Sequence, residues 1–279
     1  MSAENALYTI LVEKIKQDAL VLPTLPEVAL KVRHAADDPD ISLATMSDII
    51  AHDPALSLGM LKVANSVAFG RSIKVESVAQ AVTRIGLREI KSIATAMAIE
   101  QMFVSNSPII SEYMQKSWRK TVNVASVAIA LMTLYLQNNK HTAFTLDTLT
   151  LAALIHSIGV LPILKEAEAH PDVFATPVFL QQAIIKFSNV IGGEVIKAWE
   201  FPEEYAELVT SWNDLTLLPK EAHYLDFIRA GAIYNKIFKS ASTRDILLKS
   251  YVTKGILPDE NFMASEEFSE LLVQVRAMF

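Results

Sequence analysis

Apolar residues recur at three- and four-residue spacing along almost the whole chain, the period of a helix with one buried face. Leu7, Ile10, Leu11 and Ile15 form the first such stripe, with Lys14 diluting its edge. No run alternates apolar and polar residues across an Asn-Gly or Asp-Gly turn, so the strongest signal of a β-hairpin is missing. Helix punctuation is plentiful instead. Asp53-Pro54 reads as an N-cap with proline at the first helical position, opening a helix over Ala55 to Asn65. Ser42 is placed to cap Leu43 to His52, and Gly86 to stop Ala79–Ile85 in the left-handed conformation. Phe201-Pro202 ends one helix and starts the next. The segments read as mostly about 10–15 residues long, with no sustained heptad. The predicted fold class is therefore all-α, an irregular multi-helix globule rather than a long bundle or coiled coil. The turn at Ser105–Pro108 is the best boundary between two halves, and the residues from about Leu217 read as further helices with a more charged surface.

Composition narrows the chemistry. A chain of 279 residues, 51% of them hydrophobic, buries a deep core without staples. It has no cysteine, which excludes a disulfide scaffold, thiolate zinc sites, iron–sulfur clusters and a cysteine nucleophile. Its eight glycines are few for a phosphate-cradling loop, a many-turned barrel or a dinucleotide fold. The net charge of −6, from 25 Lys+Arg against 31 Asp+Glu, argues against nucleic acid as a partner. The N-terminus begins acidic, and Glu13 and Lys14 break its apolar stretch, unlike a signal peptide. The expected location is the cytoplasm. Two uncharged stretches, Thr121–Asn139 and Thr148–Leu164, approach the length of a membrane span. The first carries Asn123, Ser126, Thr133 and Gln137, the second His156, Gly159 and Pro162. Both read as core helices of a globule, so no membrane is expected as a partner.

His34, His52, His141, His156, His170 and His223 include no pair at i, i+3 or i, i+4, so no single helix offers two imidazoles to a metal. His156 stands out because it interrupts the apolar run Thr150-Leu-Ala-Ala-Leu-Ile-His-Ser-Ile-Gly-Val160. A polar ring there must find a partner or cost about 1–3 kcal/mol. It is either a metal or phosphate ligand, or a core histidine bonded to backbone or serine; the second arrangement is the commoner one. Asp53 of the His52-Asp53 doublet precedes proline and is expected to cap a helix rather than pair with the imidazole. No G-x-S-x-G turn or P-loop is present. Gly192-Gly193 follow Phe187–Ile191, precede a helix and read as a site of close helix packing. The carboxylate pairs Asp37-Asp38, Glu203-Glu204 and Glu266-Glu267 lie beside turns and helix starts, where they are solvated or favoured by the helix dipole. Arg119-Lys120 form one basic cluster. Arg84, Arg88 and Lys91 form another, along one helical side if the helix continues across Gly86. Either is a candidate contact for an anion, although a solvated face is the commoner arrangement.

Four boxes then carry a resemblance. Leu22-Pro-Thr-Leu-Pro-Glu-Val-Ala-Leu-Lys-Val32 is followed by Ile49-Ile-Ala-His-Asp-Pro-Ala-Leu-Ser57. Leu61-Lys-Val-Ala-Asn-Ser-Val-Ala-Phe-Gly70 and Ser77-Val-Ala-Gln-Ala-Val-Thr-Arg-Ile-Gly86 come next. In order and spacing they resemble the HDOD domain, a bacterial signalling module related to the HD phosphohydrolases. The likeness continues through Ala152–Leu164 and Gly192–Pro202, and so covers residues 15–215. It implies an N-terminal helical half (15–105) packed on an HD-like helical core (106–215), with 216–279 as additional helices packed on it.

The resemblance also supplies a test of activity. HD phosphohydrolases hold a divalent metal through a His, a His-Asp doublet and a later Asp. Here Trp118-Arg119, the pair that precedes the first histidine in many relatives, is followed by Lys120. The doublet position reads His156-Ser157, and the residue after the motif's glycine is Val160 rather than lysine. A further histidine corresponds to about Ser188, and a later His-His pair to about Ser211-Trp212. Hard cations need several oxygen or imidazole ligands around one point, which one histidine does not supply.

The resemblance thus implies a non-catalytic regulatory or scaffold module with a degenerate metal site, no cofactor and no metal. Such a module binds a signalling protein partner or a small anionic ligand. The ligand-binding candidates are Lys120, His156, Ser157, Arg84, Arg88 and Lys91. Asp53, Pro54, Asn65, Ser66 and Gly86 belong to the family motif and are expected to be structural. One alternative is a metal-dependent phosphohydrolase acting on a nucleotide or cyclic dinucleotide, with His156 as the retained catalytic candidate. The other is a metal-free nucleotide sensor, in which Lys120 or the Arg84/Arg88/Lys91 stripe meets phosphate. Relatives are often attached to receiver or other signalling domains; this chain is expected to act alone or through partners.

Overall fold

Short polar side chains start three helices of the N-terminal half, and Ser42 and Asp53 do so where the sequence places them. The computed structural model describes every residue except 1–9, 12, 15, 16, 18, 25, 67, 68, 70–72 and 172–176, and the side chain of Arg88. Leu7, Ile15 and Leu25, together with Val67, Ala68 and Gly70 of the third box, lie outside the described residues. Helices α1 (Glu27–Asp37), α2 (Leu43–Ala51), α3 (Pro54–Ala64), α4 (Val78–Ile85) and α5 (Leu87–Glu100) follow in order. Ser42 accepts from the Thr45 N–H, Asp53 from Leu56 at 2.7 Å and Ser77 from Gln80. Each cap satisfies a donor that the helix cannot and contributes about 1 kcal/mol. Gly86 adopts φ +89°, so α4 stops there and α5 starts afresh at Leu87. Asn65, at the end of α3, donates to the Val75 carbonyl and accepts from the Val75 N–H at 2.9 and 2.8 Å, closing the loop back onto the helix. Met46, Ile50, Leu56, Met60, Ile90 and Ile93 form the buried centre of these helices. Burying each contributes about 1.5–3 kcal/mol.

The rest of the chain forms α6 (Pro108–Asn138), α7 (Leu146–Ile155), α8 (Val160–Ala169), α9 (Pro177–Ala198) and α10 (Glu203–Ser211). Then come α11 (Tyr224–Tyr234), α12 (Ala241–Thr253), a 3₁₀ turn (Phe262–Ala264) and α13 (Glu266–Arg276). No strand occurs among the described residues. Two helices are much longer than the sequence reading expected: α6 has 31 residues and α9 has 22. Nothing in α6 after Pro108 breaks a helix, because the polar residues that divide its apolar pattern do not terminate it. In α9 the Gly192-Gly193 pair lies inside the helix rather than ahead of one. Val209 and Thr210 of α10 fill the space their missing side chains leave, and this packing offsets the low helix propensity of glycine. The most apolar windows of α6 and of the α7–α8 stretch, long and apolar enough by composition to cross a membrane, are 61% and 78% buried inside the protein.

Cα packing divides the chain into two compact units. One comprises Leu25–Glu100, Val122–Ala153 and Pro219–Phe279; the other Met1–Thr24, Gln101–Thr121 and Leu154–Leu218. In the first unit, α11 departs from the charged surface expected of the C-terminal helices, because it is buried along nearly its whole length. His223 caps it and the Asp226 carboxylate in turn accepts from the His223 N–H, a reciprocal capping box. Asp226 also pairs with Lys254 at 2.8 Å, the two side chains 1% and 6% exposed. Burial raises the Asp226 carboxyl above its ordinary range, against the opposing pull of Lys254 and Arg229. Burial likewise pushes the Tyr251 hydroxyl up.

Two outcomes follow for urea unfolding. A Cβ at Gly231 would lie 2.4 Å from the Val124 carbonyl oxygen, whereas at Gly59 it would meet the flexible Met97 thioether. Gly231→Ala is expected to cost about 2–3 kcal/mol. Gly59→Ala is expected to cost less than about 1 kcal/mol, because methionine yields and alanine favours the helix. The second outcome concerns pH. The Asp226 carboxyl is raised, so the folded state holds its proton more tightly than the unfolded state. Stability from this group is present below the unfolded pKa and lost as pH rises through the folded one. Lys254→Met, which removes the ammonium, is expected to cost about 3 kcal/mol near pH 7.5 and to regain part of it near pH 5.

Candidate functional site

The polar residues that interrupt the apolar α7 run come together at its end. α7 finishes at Ile155, and residues 156–159 turn the chain into α8. Gly159 sits in this turn with its backbone against α9. A Cβ there would lie 1.9 Å from the Ser188 carbonyl oxygen and 2.5 Å from the Gly192 nitrogen. Only hydrogen fits, so the turn that carries His156 and Ser157 is pressed directly onto the α9 backbone.

His156 is 3% exposed. Its ring stands edge-on to Trp212, just beyond α10, with centroids 4.7 Å apart and planes at 84°. Ser157 meets Thr121 of α6, their hydroxyl oxygens 2.5 Å apart. Thr121 is buried and donates its proton to the Ser117 carbonyl at 3.1 Å, which leaves Ser157 as the donor to Thr121. Ser188 is buried on α9. Lys120 and Arg119 are exposed on α6, so adjacent residues put a hydroxyl at the buried pair and an ammonium in solvent. Among the described residues, no three His, Asp or Glu side chains gather where they could hold one metal ion.

The other sequence candidates lie elsewhere. The Arg84, Arg88 and Lys91 stripe required a helix continuous across Gly86. The helix breaks there, so Arg84 ends α4 while Lys91 belongs to α5. Arg84 donates to the carbonyls of Ile73 at 2.7 Å and Ala64 at 3.3 Å, and Lys91 pairs with Asp37. The Arg88 side chain lies outside the described residues. Asp53 caps α3 behind Pro54, Asn65 pins Val75 and Gly86 stops α4. Ser66 is half-buried, with no hydrogen bond to its hydroxyl among the described residues. His52 is no partner of Asp53: its Nδ1 lies 2.6 Å from the Asp48 carbonyl.

Sequence reasoning missed two neighbours of this site. Thr121 was seen only as a polar residue that weakens a membrane reading; a hydroxyl inside an apolar helix is itself the signal that a buried partner exists. Trp212 was noted only as the replacement of a histidine, not as the ring that packs on His156. It also missed two carboxylates on α8. Glu166, which is buried, accepts from Lys14 at 2.6 Å. Glu168 accepts from the Ser105 hydroxyl and the Asn106 N–H, while Lys165 reaches the Val104 carbonyl at 2.9 Å. The Ser105 hydrogen bond is the main reason the Glu168 carboxyl sits below its usual range. These contacts fix the connection 104–106 against α8.

Comparison with known proteins places the fold and the family. A crystal structure from Shewanella amazonensis SB2B, described as a "putative metal-dependent phosphohydrolase", is similar to the whole chain. It shares 40% identity over 100% of this chain and 99% of that one, with a TM-score of 0.88. An HDOD domain protein of unknown function from Geobacter sulfurreducens shares the fold at 17% identity, with a TM-score of 0.66 over 97% of each chain. An uncharacterized protein of Treponema pallidum (strain Nichols) is 22% identical over 209 residues, 72% of this chain and 39% of its own length. The chain thus spans about two-fifths of that curated relative. The HDOD domain family matches residues 22–215, the region in which the four boxes and the His156 turn lie, and the chain belongs to that family.

Proposed function

We propose that this chain is a non-catalytic signal-transduction module of the HDOD type, which binds a protein partner or a small anionic ligand. The observation that carries this reading is the Ser157–Thr121 hydroxyl pair. Ser157 stands where a metal-binding doublet would place its aspartate, and its hydroxyl is spent on a buried neighbour. A neutral hydroxyl supplies no charge to a divalent ion. His156 is one imidazole packed edge-on against Trp212. Lys120, at the position of the first histidine in relatives, carries an ammonium that repels a cation. The donors present therefore do not fit a resident divalent metal, and no hydrolytic step is assigned to them. Exposed Lys120 and Arg119, beside the buried pair, are the basic groups placed to meet an anion.

The opposing reading, a metal-dependent phosphohydrolase, is favoured by the description of the Shewanella amazonensis relative. Elemental analysis separates the two, after exposure to manganese, iron, nickel and zinc and removal of the excess. The expected outcome is far less than one equivalent of any metal, with no phosphodiesterase activity above a blank. One equivalent of metal, lost together with activity in His156→Ala, would overturn the proposal. His156→Ala itself is expected to act on stability, lowering it by about 1–3 kcal/mol in urea unfolding as Trp212 loses its packing partner.

A further inference from the structure

The unit that contains α11 and α12 holds a buried polar cluster that the His156 site does not use. Asp226 and Arg229 stand one turn apart on α11, and Tyr251 and Lys254 one turn apart at the end of α12, so each pair shares a helix face. The Lys254–Asp226 bond of 2.8 Å joins the two faces. Arg229 and Tyr251 are 0% exposed, Asp226 1% and the Lys254 side chain 6%. Asp226 is the one buried carboxylate among the described residues of this unit, and it feels the charge of Arg229 as well as that of Lys254. Its Oδ2 already accepts from Lys254 and from the His223 N–H.

Donors and positive charge are therefore in excess. The Lys254 ammonium has three N–H groups and, among the described residues, gives one of them to Asp226. The Tyr251 hydroxyl is buried and has no hydrogen-bond partner among the described residues. Burial keeps it protonated, and so a donor, within the fields of Asp226 and Arg229. A buried donor without an acceptor is costly, and so is buried charge that exceeds its counter-charge. We infer that a small monovalent anion of halide size binds between the Tyr251 hydroxyl and the Lys254 ammonium, as the counter-ion that Asp226 alone does not supply to two cations. A water molecule there would satisfy the hydroxyl and leave the charge unbalanced, whereas an anion does both. Full burial of the cluster selects a small ion over a phosphate ester. The inference does not rest on the reading of the His156 turn, which belongs to the other unit.

Urea unfolding in two salts tests this. At about 100 mM and constant ionic strength, replacing sodium gluconate with sodium chloride is expected to raise the unfolding midpoint saturably, since the ion binds the folded state. The chloride NMR line is expected to broaden when the wild-type chain is added. Tyr251→Phe keeps the ring and removes the donor. It is expected to fold, to weaken chloride binding at least ~10-fold and to lose most of the chloride-specific gain. Tyr205→Phe, in the other unit, is expected to keep both. Equal midpoints in chloride and gluconate, or a chloride gain and line width that Tyr251→Phe leaves unchanged, would overturn the inference. So would a Tyr251→Phe chain that loses the same stability in both salts, the mark of a bridging water.

Discussion

The contact between Gly159 and the α9 backbone is the constraint on which the candidate site depends. With hydrogen in place of a side chain, the turn after α7 approaches Ser188 and Gly192 closely enough that a methyl group would overlap a carbonyl oxygen. That approach fixes where His156 and Ser157 stand. Val209 lies against Gly192 from the α10 side, and Trp212, one turn further on, lies against His156. The three glycines of this region serve packing, in keeping with a chain too poor in glycine for a phosphate-cradling loop.

The same geometry decides what the polar groups do. Inside a close-packed interior a hydroxyl needs a partner, and Thr121 and Ser157 supply one another. An aspartate at position 157 would bring a full charge that Thr121 alone does not balance, so the hydroxyl pair and a metal-binding doublet are alternative solutions for one position. Lys120 follows the same logic from the other side, since its ammonium stays in water while the next residue is buried.

Much of the architecture was legible because helices announce themselves locally. The caps at Ser42 and Asp53 and the stop at Gly86 rest on hydrogen bonds or backbone preferences within a few residues. The four boxes depend on the same local rules, which is why the family was readable from residues 22–86 before any fold was known. Helix length was less legible. α9 runs through two glycines because α10 packs on them, and that packing is not written in the sequence of α9 itself. The Arg84, Arg88 and Lys91 stripe failed for the opposite reason. One glycine with positive φ outweighed a spacing that looked helical on both sides of it.

By itself the sequence determined an all-helical chain, its punctuation, its family and the serine that follows His156. Each of these is carried by residue type or by neighbours along the chain. Only the tertiary structure decided that Ser157 meets Thr121, that Trp212 packs on His156 and that Asp226 and Lys254 pair in the dark of the core. It alone grouped Gln101–Thr121 with Leu154–Leu218 and left the rest of α6 to the other unit. The reason is physical. A cap is satisfied within one turn, whereas a buried partner is chosen by whichever helix happens to be packed close enough to reach it, and sequence distance carries no record of that choice.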